Sequence, residues 1–172
     1  GIPTGADQSK GCIYLGLLND YTGPFGPYGI PLETGQRGFW LWANQSGGIG
    51  DYSVAIVEGY DTQYNPQKHL EGYKAQRGEV AALAMSLGTP QTQFILDDMD
   101  ADNMIAAPMS WYSGWSYKGS DRGLVVEFGS SYCADGMNAL DWAMANLPVD
   151  IKTVGVMGYA GDYGGDYAAG VT

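Results

Sequence analysis

Residues 13–18 read Ile-Tyr-Leu-Gly-Leu-Leu, a short and unbroken apolar run. A run without polar alternation is typical of a strand covered on both faces, as in a parallel sheet flanked by helices. A turn-rich loop follows at residues 19–28, where Thr22-Gly23-Pro24 and Gly26-Pro27 mark changes of direction. This segment therefore predicts a buried first strand that ends in a polar, glycine-rich loop.

The next segment predicts a helix that begins at Pro31, since proline suits a first helical turn. Gly47-Gly48 is expected to end this helix. A stripe of Leu32, Gly35, Phe39 and Trp42 recurs along it at helical spacing.

Strand and helix patterns alternate along the rest of the chain. Further strands are predicted at residues 54–57, 80–86, 104–107, 124–128 and 154–157. Further helices are predicted at residues 65–76 and 91–99. A later helix has a predicted buried stripe of Met137, Leu140, Met144 and Leu147, and a last helix is predicted after an N-cap at Asp162. Such alternation favours right-handed βαβ units and an α/β fold with a parallel, doubly wound sheet.

Composition excludes some classes of partner. The 172 residues include 8 Lys plus Arg and 19 Asp plus Glu, a net charge of -11. Without clustered cations, binding to nucleic acid or to anionic lipid is disfavoured. The acidity fits either simple solubility or an extracytoplasmic origin. No apolar run approaches the ~20 residues that span a bilayer.

The N-terminus and the two cysteines bear on whether the protein is exported. Residues 1–11 form a polar tail that is expected to be flexible, with no signal peptide pattern, so an exported protein would be present here in processed form. Cys12 and Cys133 do not form a four-ligand zinc site, and their predicted positions do not bring them together. Two buried free thiols are expected, and a disulfide in an oxidising compartment stays open as an alternative.

Ligands of open parallel sheets bind beyond the carboxyl ends of the strands, where the strand order reverses. In the common order 2-1-3-4-5 that point lies between the first and third strands. The loops at residues 19–28, 88–92 and 108–120 are therefore expected to surround a binding site.

These loops carry residues suited to holding a small polar molecule. Hydroxyl groups come from Thr89, Thr92, Ser110 and Ser113, and flat rings with polar tips come from Tyr28, Trp111, Tyr112 and Trp115. The same residue types are also ordinary turn chemistry, so a purely structural role is the alternative at each position.

Catalysis is not indicated. His69 lies on a helix that looks solvent-exposed, and nucleophile-elbow, Walker and zinc-protease motifs are absent. Asp20 and Asp61 follow strands, where capping of turns is the favoured interpretation and a metal or acid/base pair near the cleft is the alternative. No catalytic residue, metal or cofactor is predicted.

The order of the motifs resembles the type I periplasmic solute-binding proteins of branched-chain amino-acid ABC transporters. The resemblance runs from Cys12 to Thr172. It is carried by Ile13-Tyr14-Leu15-Gly16, Tyr21-Thr22-Gly23-Pro24, the helix end Ala43 to Ile49, Tyr60-Asp61-Thr62 with Asn65-Pro66, Gly88-Thr89-Pro90-Gln91-Thr92, and Asp162-Tyr163-Gly164. No single motif is specific, but six in the right order and spacing are fairly specific.

The resemblance implies a ligand site position by position. Tyr28 borders the ligand's side chain, Thr89 holds a carboxylate or amino group, Ser110 and Tyr112 fall at two contact positions, and Tyr163 comes from the second lobe. Tyr112 stands where amino-acid binders usually carry a small hydroxyl residue, and bulky Trp111 lies beside it. That departure points away from a leucine-like ligand and toward an aromatic acid, an amide or another compact solute.

The resemblance also implies an organisation and partners. Residues 12–150 would form the first lobe, incomplete, and residues 151–172 the crossing into a second lobe. Such a protein is periplasmic or extracellular, captures its small-molecule solute by hinge closure and delivers it to a membrane ABC permease. Family members are about twice this length, so the missing C-terminal half is a further expected partner, and the chain alone is expected to aggregate. The ligand-binding ectodomain of a sensor with the same fold is the alternative function.

Overall fold

The structure is a computed structural model that describes residues 7, 9–158 and 162–172. Most of the predicted N-terminal tail therefore lies outside the described residues. The strands are β1 (Gly11–Asn19), β2 (Tyr52–Ile56), β3 (Tyr60–Asp61), β4 (Ala82–Leu87) and β5 (Ala106–Met109). The helices are α1 (Gly26–Gln45), α2 (Pro66–Gln76), α3 (Thr89–Phe94), α4 (Leu96–Asp102), α5 (Tyr132–Asn146) and α6 (Asp162–Gly170), with a short 3-10 turn at Tyr117–Gly119. No helix among the described residues has the length and apolarity needed to cross a membrane.

The described strands form one parallel sheet in the order β2-β1-β4-β5. Short β3 continues the line of β2 and pairs with the end of β1, where Leu18 aligns with Tyr60. Sequence order therefore reverses between β1 and β4, as the doubly wound topology predicts. The predicted fold class and the position of the reversal are confirmed.

Neighbouring residues of β1 point to opposite faces of the sheet, and each face has its own apolar cluster. Leu18 packs with Tyr73 of α2 and with Ile95 and Met99 of the α3–α4 segment. Leu17 packs instead with Met85, Leu87 and Met109, on the side that α1 covers. Burial on both faces accounts for the second half of the apolar run, whereas Tyr14 in its first half is 37 % exposed.

Helix α1 begins earlier than predicted, and most of its apolar stripe is exposed. It begins at Gly26, with Pro27 in the first turn, and Pro31 lies inside it. Of the predicted stripe, Phe39 is 52 % and Trp42 is 61 % exposed. The residue that brings α1 close to β1 is Gly29, where a Cβ would come within 2.5 Å of the Asp20 carbonyl oxygen.

The second helical region is correct in one part and divided in another. Helix α2 ends where predicted and begins one residue later, at Pro66, because the Asn65 side chain caps it by accepting from the backbone N–H groups of Gln67 and Lys68. The single helix predicted at residues 91–99 is two helices, α3 and α4. They meet at Ile95, whose side chain is fully buried in the core.

Two predicted strands are not strands in this structure. Residues 124–128 make one isolated bridge, between Val125 and Ala106, and residues 151–158 carry no regular structure. Strands in a sheet require partners on their edges, and the described residues supply none for Val154 and Val156, which are 49 % and 40 % exposed.

Helix α5 packs mainly against α6 and not against the sheet. The close approach requires glycine on both helices. A Cβ on Gly136 would lie 2.7 Å from the Tyr167 carbonyl oxygen, and a Cβ on Gly170 would overlap the Cys133 carbonyl group. The buried stripe predicted for α5 is wrong in this structure, since Met137 and Met144 are exposed.

The remaining expectations concern the cysteines and the last helix. Cys12 and Cys133 are free thiols, each partly buried. Helix α6 begins at Asp162, so the predicted cap is the first helical residue, and the residue before it lies outside the described residues.

Candidate functional site

A cavity of about 570 Å³ opens at the carboxyl ends of β1, β4 and β5. This is the edge at which the strand order reverses, where open parallel sheets bind ligands. The described lining residues are Phe25, Tyr28, Pro31, Leu32, Tyr64, Leu87, Gly88, Thr89, Met109, Trp111, Tyr132 and Tyr163.

Aromatic rings form two walls of this cavity. The first wall consists of Phe25, Tyr28 and Tyr64, which come from the start of α1 and the loop before α2. The Phe25 ring centroid lies 4.2 Å from that of Tyr64 and 6.3 Å from that of Tyr28. These loops bring together rings that are 39 residues apart in the chain at most, because β1 and β3 end side by side.

The second wall consists of Trp111, Tyr132 and Tyr163. The ring centroid of Tyr132 lies 6.1 Å from that of Trp111 and 4.9 Å from that of Tyr163, both edge to face. The Tyr132 backbone N–H donates to the Trp111 carbonyl oxygen at 2.7 Å. Burial raises the pKa of Tyr132, so its hydroxyl stays protonated and able to donate.

Thr89 supplies the polar floor between the walls. The turn that presents it passes through Gly88, whose φ of +107° is disfavoured for other residues. The Thr89 side chain is 1 % exposed, and its Oγ1 lies 2.5 Å from Oγ of Ser110. The Ser110 hydroxyl also accepts a hydrogen bond from the Trp115 indole nitrogen at 3.2 Å.

The structure therefore separates the predicted site residues. Tyr28, Thr89, Trp111 and Tyr163 line one cavity, at the same end of the sheet. Ser110 and Tyr112 are not among the described lining residues. The Ser110 hydroxyl is buried and lies within hydrogen-bond distance of the Thr89 hydroxyl and the Trp115 indole nitrogen.

Tyr112 and Trp115 belong to the core rather than to the cavity. Tyr112 packs against the apolar cluster on the α2 side of the sheet, and its ring meets that of Trp115 edge to face at 5.7 Å. Residues 111 and 112 follow β5 without regular structure, and Trp111 lines the cavity whereas Tyr112 packs against the core.

His69 is buried, in contrast to the solvated position predicted for it. Its side chain is 0 % exposed, and its Nε2 lies 2.8 Å from Oγ of Ser86. Burial lowers the pKa of His69 to about 3, so the imidazole is neutral at physiological pH. Ser86 Oγ lies 2.7 Å from Oγ1 of Thr92, which also approaches the Gly88 carbonyl oxygen at 2.9 Å. The chain of hydrogen bonds fixes the turn that carries Thr89.

Asp20 and Asp61 cap turns, as the sequence interpretation favours. The buried Asp20 carboxylate accepts from the backbone N–H groups of Gly23 and Phe25, at 2.6 and 2.8 Å. Asp61 accepts from the Tyr21 N–H and the Thr22 hydroxyl, and such hydrogen bonds lower its pKa although its partial burial acts in the opposite direction. Both carboxylates thus hold the loop that leads into the first wall.

Sequence reasoning missed three rings of the cavity, Phe25, Tyr64 and Tyr132. Phe25 lies in the loop that was predicted to face the site, so its position was the available signal. Tyr64 precedes the cap of α2 with a φ of +52°, and Tyr132 begins α5. Neither position carries a pattern that marks a site.

The cavity walls are rich in rings and poor in charge. Among the described lining residues the titratable side chains are all tyrosines. Such a site binds by apolar contact and hydrogen bonding, and its described part presents no nucleophile paired with a base.

A family model described as "Periplasmic binding protein" matches residues 12–172. The chain belongs to this family. With its solved relatives below, it falls among the type I periplasmic binding proteins of ABC transporters, a family whose description implies an extracytoplasmic location. No curated protein sequence matches the chain.

Solved structures share the fold over most of this chain. The fatty acid ABC transporter substrate-binding protein from Thermomonospora curvata has a TM-score of 0.78 at 25% identity, and the match covers 99% of this chain and 42% of that one. A possible leucine/isoleucine/valine-binding protein from Rhodopirellula baltica SH 1 has a TM-score of 0.76 at 16% identity, covering 96% and 44%. A solute-binding protein of an ABC transporter from Rhodopseudomonas palustris HaA2, in complex with p-hydroxybenzoic acid, has a TM-score of 0.64 at 17% identity, covering 78% and 36%. The chain therefore spans less than half the length of these relatives.

Proposed function

We propose that this chain is the solute-capturing part of an extracytoplasmic binding protein that delivers its ligand to an ABC permease. The observation that carries the proposal is the cavity itself, which lies at the reversal of strand order between two walls of rings. The family match supports the same role, since its solved relatives are substrate-binding components of ABC transporters.

The proposed ligand has an apolar or aromatic body and one hydrogen-bonding group. The rings of Phe25, Tyr28 and Trp111 offer flat apolar surface, and Thr89 offers a hydroxyl at the floor. The described lining carries neither a carboxylate nor a cationic side chain, so a free α-amino acid would leave two charges to hydroxyl groups alone, whereas an organic acid leaves one. The Thermomonospora curvata relative is described as a fatty acid binder and the Rhodopseudomonas palustris relative is in complex with p-hydroxybenzoic acid, which agrees with an organic acid as ligand.

Ligand capture would proceed by closure of one unit on another. The ligand first docks on Thr89 and the first wall, and the α5–α6 pair then closes over it with Tyr132 and Tyr163. Because α5 packs with α6, we place the boundary between the two units before α5, and not near residue 150. In this proposal the remainder of a full-length binding protein covers the exposed apolar face of α5.

The test is binding of matched solutes to the native polypeptide. Thermal shift and calorimetry with benzoate, 4-hydroxybenzoate, octanoate, benzamide and phenylalanine distinguish ring, chain, charge and ammonium. We expect the acids to raise the melting temperature more than phenylalanine does. If no solute of this panel binds, the proposed ligand class is contradicted.

A pair of threonine variants locates the site. We expect Thr89→Ala to weaken binding by about 1–3 kcal/mol, the effect of losing a hydrogen bond to a charged group. The matched control is Thr34→Ala, on the exposed side of α1, where the hydroxyl bonds only its own helix at the Ile30 carbonyl oxygen. Equal affinities for the two variants would remove Thr89 from the site.

A further inference from the structure

We propose that Asp166 is a positioning residue that holds together the three chain segments that supply the second aromatic wall. The inference rests on the proposed function for its link to ligand binding. Its geometric part, the placement of Trp111 relative to Tyr132 and Tyr163, stands on contacts of its own.

Asp166 lies on α6 with its side chain turned into the protein and is 8 % exposed. One carboxylate oxygen, Oδ2, accepts from the backbone N–H groups of Ser113 at 2.9 Å and of Cys133 at 3.3 Å. The other, Oδ1, accepts from the Ser113 hydroxyl. A single carboxylate is thus bonded to three donors on two other segments.

Each donor lies next to a ring of the second wall. Ser113 follows Trp111 by two residues, Cys133 follows Tyr132 directly, and Asp166 follows Tyr163 by one turn of helix. The three contacts of Asp166 therefore connect all three ring-bearing segments at one point.

The charge of a carboxylate strengthens the hydrogen bonds that it accepts. Hydrogen bonds to a carboxylate are shorter and roughly twice as strong as those between neutral groups. A buried carboxylate must keep its donors or return to water, so Asp166 stabilises the arrangement in which α6 lies against Ser113, which in the proposed function is the closed one. In the described part of the chain Asp166 has no salt-bridge partner, so N–H and O–H dipoles alone stabilise its charge.

Two isosteric variants test the role. Asp166→Asn keeps the size of the side chain but replaces one acceptor oxygen by an NH₂ group that faces a donor. Asp141→Asn is the matched control, since Asp141 lies on the exposed side of α5. With 4-hydroxybenzoate as probe in the native polypeptide, we expect Asp166→Asn to weaken binding about tenfold and Asp141→Asn to leave it unchanged.

A second measurement needs no ligand. Acrylamide quenching of tryptophan fluorescence is measured in the parent protein and in its Trp111→Phe variant, and the difference reports the exposure of Trp111 alone. The same difference is measured in the background of each Asp variant. We expect the Trp111 quenching constant to rise at least about twofold in Asp166→Asn, as its loop separates from α6, and to stay constant in Asp141→Asn.

The outcomes separate this inference from the proposed function. If the parent protein binds none of the solutes but Trp111 becomes more accessible in Asp166→Asn, the positioning role stands and the proposed function fails. If the parent binds the probe and Asp166→Asn changes neither affinity nor quenching, the inference is overturned. Should Asp166→Asn not fold, Ser113→Ala removes one of the three donors, and unchanged quenching in that variant overturns the inference as well.

Discussion

Replacement of His69 by glutamine should flatten the dependence of stability on pH. In the folded protein burial lowers the pKa of His69 to about 3, against an ordinary value of 6.5. The imidazole lies against the Ser86 hydroxyl at 2.8 Å. Between pH 6.5 and about pH 3, therefore, the unfolded chain binds a proton at His69 and the folded protein does not. The free energy of unfolding falls as the pH is lowered through 6.5.

The magnitude follows from proton linkage. With a pKa of 6.5 in the unfolded chain and about 3 in the folded protein, His69 alone lowers the free energy of unfolding by about 2 kcal/mol between pH 7 and pH 5. Above pH 7 the contribution is nearly constant, because both states are then neutral at this residue.

Urea unfolding followed by circular dichroism at pH 7 and pH 5 measures the effect. Glutamine is chosen because its amide can still donate a hydrogen bond toward Ser86 but does not titrate. The parent protein should lose about 2 kcal/mol more than His69→Gln between the two pH values. Equal losses would refute the reasoning and would place a solvated, ordinary imidazole at position 69.

Three further predictions follow from local geometry. Gly29→Ala should destabilise the protein by about 1–3 kcal/mol in urea unfolding, since the new methyl group meets the end of β1. Gly35→Ala on the same helix, where nothing lies within 4 Å, should instead stabilise it by about 0.5–1 kcal/mol, and reversed signs would contradict the described packing. Gly170→Ala should lower the melting temperature because it separates α5 from α6, whereas Gly165→Ala has open space and should not; equal melting temperatures would disprove the close crossing. Asn65→Ala should lower the free energy of unfolding by about 1 kcal/mol through loss of the α2 cap, and an unchanged value would show that the cap contributes nothing.

Local patterns predicted the elements best where one residue type has one physical role. Asn65-Pro66 both predicts and begins α2, because a side-chain acceptor followed by a residue without an N–H suits a first helical turn. The apolar run of residues 13–18 lies within β1, where Leu17 and Leu18 are buried on opposite faces of the sheet.

Predictions that depended on a partner surface were the ones that failed. The stripes of α1 and α5 have helical spacing, but Phe39 and Met137 are exposed because no described element packs over them. His69 was predicted to be solvated, although it lies against Ser86 on a neighbouring strand. Spacing along a helix shows that residues share a face, and it does not show what that face meets.

The candidate site was predictable in its location and only partly in its members. The loops that follow parallel strands lie at the same edge of the sheet. The sequence therefore predicted that Tyr28 and Thr89 lie near each other. Which of the adjacent rings Trp111 and Tyr112 lines the cavity is decided by packing, since Tyr112 lies against the core cluster.

The course of the backbone was thus set by short-range chemistry: apolar runs, caps, prolines and glycines that act within a few residues of themselves. Long-range packing alone decided which side chains are buried and which rings meet. Tyr132 reaches Trp111, and Asp166 reaches Ser113, across stretches of chain that carry no trace of the contact. Such pairs are selected by three-dimensional fit, because burial and directional hydrogen bonds depend on the whole folded neighbourhood rather than on adjacent residues.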